Sequence, residues 1–202
     1  MAKKAARKTA ATESRRDAVD IALSLAAEKG WRDLALADIA AGAGLSLAEL
    51  YALYPSKQAI LKAYSRKVDM AVLAETEKPE GPAKDRLFDV LMRRLDKLDP
   101  HKAGLQRIAE DTARDPLAMA CSLARLDRSM AAMLEAAGIS AAGFAGLLRV
   151  KGLSAVYLHG LRAWFRDDSP DKAKTMAALD RALGRVDRLA SWAQRRGKRA
   201  AA

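Results

Sequence analysis

A chain of 202 residues with a formal net charge of +11 is long enough to bury a core and basic enough to be drawn to polyanions. Half of its residues are apolar but only 5% are aromatic; an apolar pool dominated by alanine suits closely packed helices and disfavours a pleated sheet, so the expected class is all-α. Its one cysteine, Cys121, excludes an internal disulfide, residues 1–16 lack the apolar segment of a secretory signal, and no charge-free stretch reaches the ~18 residues of a membrane span, so the expected setting is the cytoplasm.

The charge sits at the ends. Residues 1–16 hold six Lys or Arg against Glu13, residues 185–202 hold six against Asp187, and the remaining 24 basic and 23 acidic residues nearly cancel. Basic arms, expected to be disordered over 1–13 and 197–202, would follow a polyanion, either nucleic acid or an anionic membrane surface.

In chain order, Val19, Ala22, Leu23 and Ala26 recur at helical spacing from Ser14 to about Glu28, and Gly30 ends that run. Leu36, Ile39, Ala40 and Ala43 make a short second helix closed by Gly42 and Gly44. A third starts at Ser46 and must stop before Pro55, since proline lacks a donor and restricts the residue before it. Ser56 is the expected N-cap of a fourth helix, 57 to about 77, with Ile60, Leu61, Tyr64 and Val68 on one face. Lys78-Pro79-Glu80-Gly81-Pro82 breaks it and is the expected boundary between domains 14–77 and 83–196.

Beyond the boundary, Asp99-Pro100, Asp115-Pro116 and Ser169-Pro170 each set a capping side chain before a proline whose missing N–H costs nothing at a helix start. The marks divide the chain into helices of roughly 83–98, 101–113, 117–136, 140–167 and 171–195, about nine in all. Cys121, among Leu117, Ala118, Leu123 and Ala124, is expected to be a buried structural thiol.

Two short helices joined by Gly42-Ala43-Gly44-Leu45, with a longer helix in front, have the spacing of a helix-turn-helix whose second helix would be the recognition helix. The run from Leu36 to Leu61 contains Ile39-Ala40, Gly44-Leu45-Ser46, Leu50-Tyr51 and Tyr54-Pro55-Ser56-Lys57 in register. With these residues the segment 14–77 resembles the TetR family of transcriptional regulators, and the remainder is similar in architecture. The resemblance implies a three-helix DNA-binding domain followed by a helical ligand-binding and dimerisation domain. It also implies DNA contacts by Ala35, Ser46, Leu47, Ala48, Glu49 and Tyr51, and a phosphate contact by Lys57. Arg15 and Arg16 would track the backbone or enter the minor groove.

The departures from the family pattern lie where DNA would be read. Leu47, Ala48 and Glu49 replace the usual basic or polar residue, glycine and threonine, and Ala35 replaces the threonine that commonly caps the second helix. Segment 17–77 carries six basic and nine acidic residues. Such a helix can meet thymine methyls, and Glu49 can accept from cytosine, but it offers no bidentate reader of guanine. Ser46 and Glu49 also form an S-x-x-E capping box, a reading that needs no DNA.

In the last helix Met176, Leu179, Leu183, Val186, Ala190 and Ala193 are spaced 3, 4, 3, 4, 3, a coiled-coil-like seam. By the resemblance this seam, with Leu153, Val156 and Gly160 of the preceding helix, forms the homodimer interface, and two-fold symmetry implies a palindromic operator on double-stranded DNA. The same seam also fits packing within one chain. A small apolar ligand would lie among the middle helices, lined by Met92, Met119, Met130, Met133, Phe144, Tyr157 and Trp164, with His159 as a polar contact; plain core is the alternative for each.

Enzyme readings find little. His101 and His159 are the only histidines, no metal-ligand spacing or catalytic motif occurs, and neither an enzyme nor a cofactor is expected. The expected function is therefore a ligand-controlled TetR-like regulator, a repressor. The alternative is a lipid-binding accessory protein of quinone biosynthesis, because Trp164-Phe165, Asp168-Ser169-Pro170 and Leu179-Asp180-Arg181 also resemble the ubiquinone-biosynthesis lipid-binding family that shares this fold. There Trp192 and Arg195-Arg196-Gly197-Lys198-Arg199 would rest on a membrane surface.

Overall fold

The computed structural model describes residues 18–75 and 80–200, with side chains as far as residue 188. Among them there is no strand. Residues 18–29 form α1, and then follow α2 (Leu36–Gly42), α3 (Leu47–Leu53), α4 (Lys57–Ala74), α5 (Ala83–Leu98), a single 3-10 turn (Asp99–His101), α6 (Lys102–Thr112), α7 (Pro116–Ala136), α8 (Gly143–Phe165) and α9 (Ala173–Ala200). The arm expected at 1–13 and residues 76–79, which include Lys78 and Pro79 of the boundary segment, lie outside the described residues. Helix α9 runs to Ala200, past the end expected at about 195. No single helix among the described residues is long and apolar enough to cross a membrane.

The chain divides into two compact units, the first reaching Lys67 and including Asp99–Arg125, the second made of Val68–Leu98 and the residues from Leu126 onward. The division falls inside α4 and α7. In the first unit α1 presents Ala18, Val19, Ala22, Leu23 and Ala26, all buried, to a core completed by Leu34, Ile39, Leu50, Ile60 and Tyr64. Small side chains let helices approach closely, and a Cβ on Gly104 of α6 would stand 2.2 Å from the Leu23 carbonyl oxygen. Asp20 of α1 also accepts from Lys67 of α4 at 2.9 and 3.0 Å, and the edge of Tyr64 meets the His101 ring at 5.5 Å.

In the second unit α8 packs against α9, with α5 against both. Leu153, Val156, Leu179 and Leu183 are buried inside the single chain. Gly160 is the point of closest approach, since a Cβ there would lie 2.3 Å from Leu179 Cδ2. The seam expected to join two copies is thus largely consumed by α8 meeting α9 of its own chain. A heptad pattern states that a face is covered, not by which chain. Of the remaining seam residues Met176 is half-buried and Val186 exposed, while the side chain of Ala190 lies outside the described residues.

Four helices of this unit meet at a buried polar cluster. Arg94 of α5 donates to Asp69 of α4 through Nε at 3.1 Å, forms an ion pair with it at 3.0 Å, donates to the Tyr157 hydroxyl of α8 at 2.6 Å and lies 5.1 Å from that ring's centroid. Ser129 of α7 donates to the other Asp69 oxygen at 2.6 Å. Burial pushes the Tyr157 hydroxyl above its ordinary pKa and keeps it neutral.

The proline marks divide into two outcomes. Asp115 caps α7 as expected, accepting from the N–H groups of Leu117 at 2.9 Å and Ala118 at 3.1 Å. Ser169-Pro170 does not open α9, which begins at Ala173 after Lys172, a residue with φ of 53°. Its start is capped instead by the buried carboxylate of Asp167, which accepts from the Thr175 N–H at 2.8 Å and hydroxyl at 2.7 Å and from the Ser169 hydroxyl. These bonds, the one from Ser169 above all, hold the Asp167 carboxyl far below the ordinary carboxylate range. A depressed folded-state pKa gives stability that is present above the unfolded value and lost as pH falls through the folded one. Asp167→Asn is therefore expected to lower the thermal midpoint at pH 7, with the gap from the wild type closing below about pH 4. Melting curves across that range check it, and a gap that stays constant would remove Asp167 from the cap.

Candidate nucleic-acid interface

The α2–α3 pair is built by local rules. Gly44 sits at φ of 66°, which lets α2 close with its N–H reaching Ala41 at 3.1 Å while the Leu45 N–H reaches Ala40 at 2.8 Å. This Schellman closure turns the chain sharply, and α3 leaves at 104° to α2, within the range of helix-turn-helix units. Ser46 caps α3 by accepting from the Glu49 N–H at 3.2 Å, and the Glu49 carboxylate accepts from the Ser46 N–H at 2.9 Å and hydroxyl at 2.8 Å. The Ser46 N–H is the main reason that the Glu49 carboxyl lies below its ordinary pKa. Ala35 has no side-chain oxygen to cap α2, but Asp38 accepts its N–H at 2.9 Å, so half of a capping box survives.

Helix α3 is seated by one side chain, Leu50, which is fully buried, and Tyr54 just after it is buried as well. Leu47 is 51% and Tyr51 59% exposed, and Ala48, Glu49 and Ala52 share their open side. The residues expected at DNA thus form one free face, made of a leucine, alanines, a tyrosine and a carboxylate already engaged in the cap. Arg15 and Arg16 lie outside the described residues.

Lys57 has another place. Its ammonium donates to the carbonyls of Trp31 at 2.7 Å, Arg32 at 3.1 Å and Leu34 at 2.8 Å and stands 5.2 Å above the Trp31 ring. An ammonium has three N–H donors, so all of them are engaged inside the chain. Burial lowers its pKa below the ordinary lysine value. The N–H groups of the same turn are held by Asp111 of α6, whose Oδ2 accepts from Trp31 at 2.8 Å and Arg32 at 2.9 Å. The turn that delivers the chain into α2 is therefore clamped through its carbonyls by α4 and through its N–H groups by α6. Asp111 gave no signal in the sequence, being one carboxylate among several on a polar helix and some 80 residues from its partners.

The residues expected to line a ligand pocket divide by placement. Met130, Met133, Tyr157 and Trp164 are fully buried core, and Tyr157 is engaged by Arg94. Met92 and Met119 are half-buried, the latter in the first unit. Phe144 is 77% exposed and His159 is exposed, so both face solvent. Cys121 is free and exposed, contrary to the expected buried thiol, because α7 turns Leu117, Ala120, Cys121 and Ala124 outward together. Of the features behind the lipid reading, Trp164 is buried and Ser169 serves the Asp167 cap; the side chains of Trp192 and Arg195–Arg199 lie outside the described residues. No group of three or more metal-ligating residues occurs among the described residues.

Residues 18–64 match the sequence profile of the bacterial regulatory proteins, tetR family. No protein of curated function gives a significant sequence match. Among solved structures, a TetR transcriptional regulator from Nitrosomonas europaea ATCC 19718 is similar at 26% identity over 88% of this chain and 98% of its own, with a TM-score of 0.70. A TetR transcriptional regulator from Rhodococcus sp. RHA1 shares the fold at 21% identity, 86% and 95% coverage and a TM-score of 0.62. A tetR-family regulator from Streptomyces coelicolor does so at 19% identity, 87% and 82% coverage and 0.56. Residues 18–64 thus match the tetR family profile and carry a helix-turn-helix whose second helix is open, on an all-helical fold similar to that of TetR transcriptional regulators.

Proposed function

We propose that the protein is a dimeric, sequence-selective DNA-binding regulator that represses by occupying its operator. The observation that carries this reading is the free face of α3, held outward by Leu50 and by the clamped turn in front of α2. Leu47 and Ala48 would meet thymine methyls, Tyr51 would donate to a phosphate, and Ser46 and Glu49 would set the helix end toward the groove. The helix lacks a guanine reader, so selectivity would lean on thymine methyls and groove shape, with the basic residues 1–16 supplying much of the affinity.

Two copies would associate through the apolar surface that α8 and α9 leave open, Phe144, Leu147, Leu148 and Val186, giving a palindromic operator. Effector control is the second half of the proposal: a small apolar ligand would enter the second unit by displacing the methionines of its filled core, an adaptable side chain for that purpose.

Selection of binding sites from random duplex DNA by the full-length protein tests the reading. Recovery of an A/T-rich palindrome is expected, and Leu47→Ala/Tyr51→Ala should lower affinity for it about tenfold or more. Recovery of no enriched sequence would remove the proposal, and retention on anionic vesicles in place of DNA would restore the lipid alternative.

A further inference from the structure

The first unit contains a cleft that the DNA-binding reading does not use. It has a volume of about 360 Å³ and lies between the α1–α2 turn, the start of α4 and the α6–α7 turn, a size within the range of small-molecule sites. Trp31, Pro116 and Ala118 give it apolar wall. Its polar groups differ in how far they are already satisfied.

Lys57 has all three donors on carbonyls of the turn. Asp111 Oδ2 is taken by two backbone N–H groups, and Asp115 Oδ1 by the first N–H groups of α7. The guanidinium of Arg114 is 70% exposed, with one long contact of 3.4 Å to Asp111. Arg32 contributes its backbone to the clamp while its side chain is exposed at the rim. Gln58 accepts from Arg125 through its oxygen, which turns its amide donors to other use. Two arginines and a glutamine, on three separate elements, thus line a partly apolar cleft with donor capacity beyond their hydrogen bonds within the chain.

We propose that this cleft binds a small organic anion, a carboxylate or phosphate monoester with a short apolar body. Arg32 and Arg114 hold the anionic group by charge-assisted, fork-like hydrogen bonds, and the body lies against Trp31 and Pro116. The floor of the cleft is the turn that carries the chain into α2, so occupancy tightens the clamp and changes the affinity of α3 for its operator. The site itself stands without the DNA reading; only this last consequence rests on it.

Phenyl phosphate is a suitable probe, since it joins the anion to an apolar ring, and calorimetric titration of the full-length protein reads its binding directly. Saturable binding of one phenyl phosphate per chain is expected, weakened about tenfold or more in Arg32→Gln/Arg114→Gln, with no binding of neutral benzyl alcohol. Both arginines are exposed at the cleft rim, so the variant should keep the wild-type melting temperature, which separates loss of the site from loss of the fold. No saturable heat up to about 10 mM phenyl phosphate, or equal binding by the double variant, would overturn the site. If the double variant loses operator affinity while phenyl phosphate binds to neither form, the arginines serve the DNA backbone and the proposal falls. If phenyl phosphate binds but no operator exists, the site stands and the regulator reading fails alone.

Discussion

Arg94→Met is expected to cost about 3–5 kcal/mol of folding stability, the loss that follows when one partner of a buried ion pair is removed and the other remains. Arg94 is fully enclosed, and it is the cation that compensates Asp69 while also satisfying the Tyr157 hydroxyl. With methionine in its place, Asp69, half-buried beside the cluster, keeps the hydrogen bond from Ser129 and loses its counter-charge. The cost is therefore that of an orphaned charge and not of the pair's own attraction. It follows that Arg94→Met/Asp69→Leu should recover the part of the loss that comes from the charge, since exchanging both charges for apolar groups is often neutral or stabilising, but not the part that comes from the lost Arg94–Tyr157 hydrogen bond. Denaturant unfolding of the two variants measures this. A double variant no more stable than the single one would mean that the cluster holds the four helices by geometry that apolar side chains cannot replace.

The second large effect falls on the clamp. Asp111→Ala leaves the N–H groups of Trp31 and Arg32 without their acceptor, at about 1–3 kcal/mol; the lower part of the range applies to the extent that the exposed Arg32 N–H turns to water. The functional effect should exceed the loss of stability. The turn sets the direction of α2, α2 sets α3, and a recognition helix misaligned on its groove loses contacts at both half-sites of a palindrome. Operator affinity should fall about tenfold or more in Asp111→Ala and less in Asp111→Asn, which keeps one carbonyl oxygen in place. Amide exchange at Trp31 and Arg32 gives an independent readout, faster in the alanine variant. Unchanged exchange would show that Lys57 alone holds the turn.

Much of this molecule could be read from residues that act locally. The span of α5 follows from its apolar periodicity, and Asp115-Pro116 marks α7 because a cap and a proline act within one turn of themselves. Ser46 and Glu49 are three residues apart, so their box was readable too. Reading fails where a side chain acts at a distance. Asp167 reaches eight residues forward to cap α9, which moves the helix start past Ser169-Pro170. Asp69 and Arg94 are 25 residues apart, and nothing in either helix alone announces the pair.

The candidate site shows the same division. The open face of α3 followed from spacing, since Leu50 is buried, Leu53 half-buried and the other five residues of the helix exposed. Lys57 did not, because the pattern that places a lysine after Pro55-Ser56 is the same whether its ammonium meets a phosphate or three carbonyls of the α1–α2 turn. The α8–α9 seam was visible as a covered face, but periodicity carries no information on whether the cover comes from the same chain.

Reading of DNA by α3 is measured by the ratio of affinities for a selected palindromic duplex and a scrambled duplex of equal length and composition. Measured by fluorescence anisotropy at physiological salt, the ratio should be about a thousandfold for the wild type and fall about tenfold or more in Leu47→Ala/Tyr51→Ala, while the steep salt dependence contributed by the basic residues 1–16 persists in both. Equal affinity of the wild-type protein for the two duplexes would contradict the account.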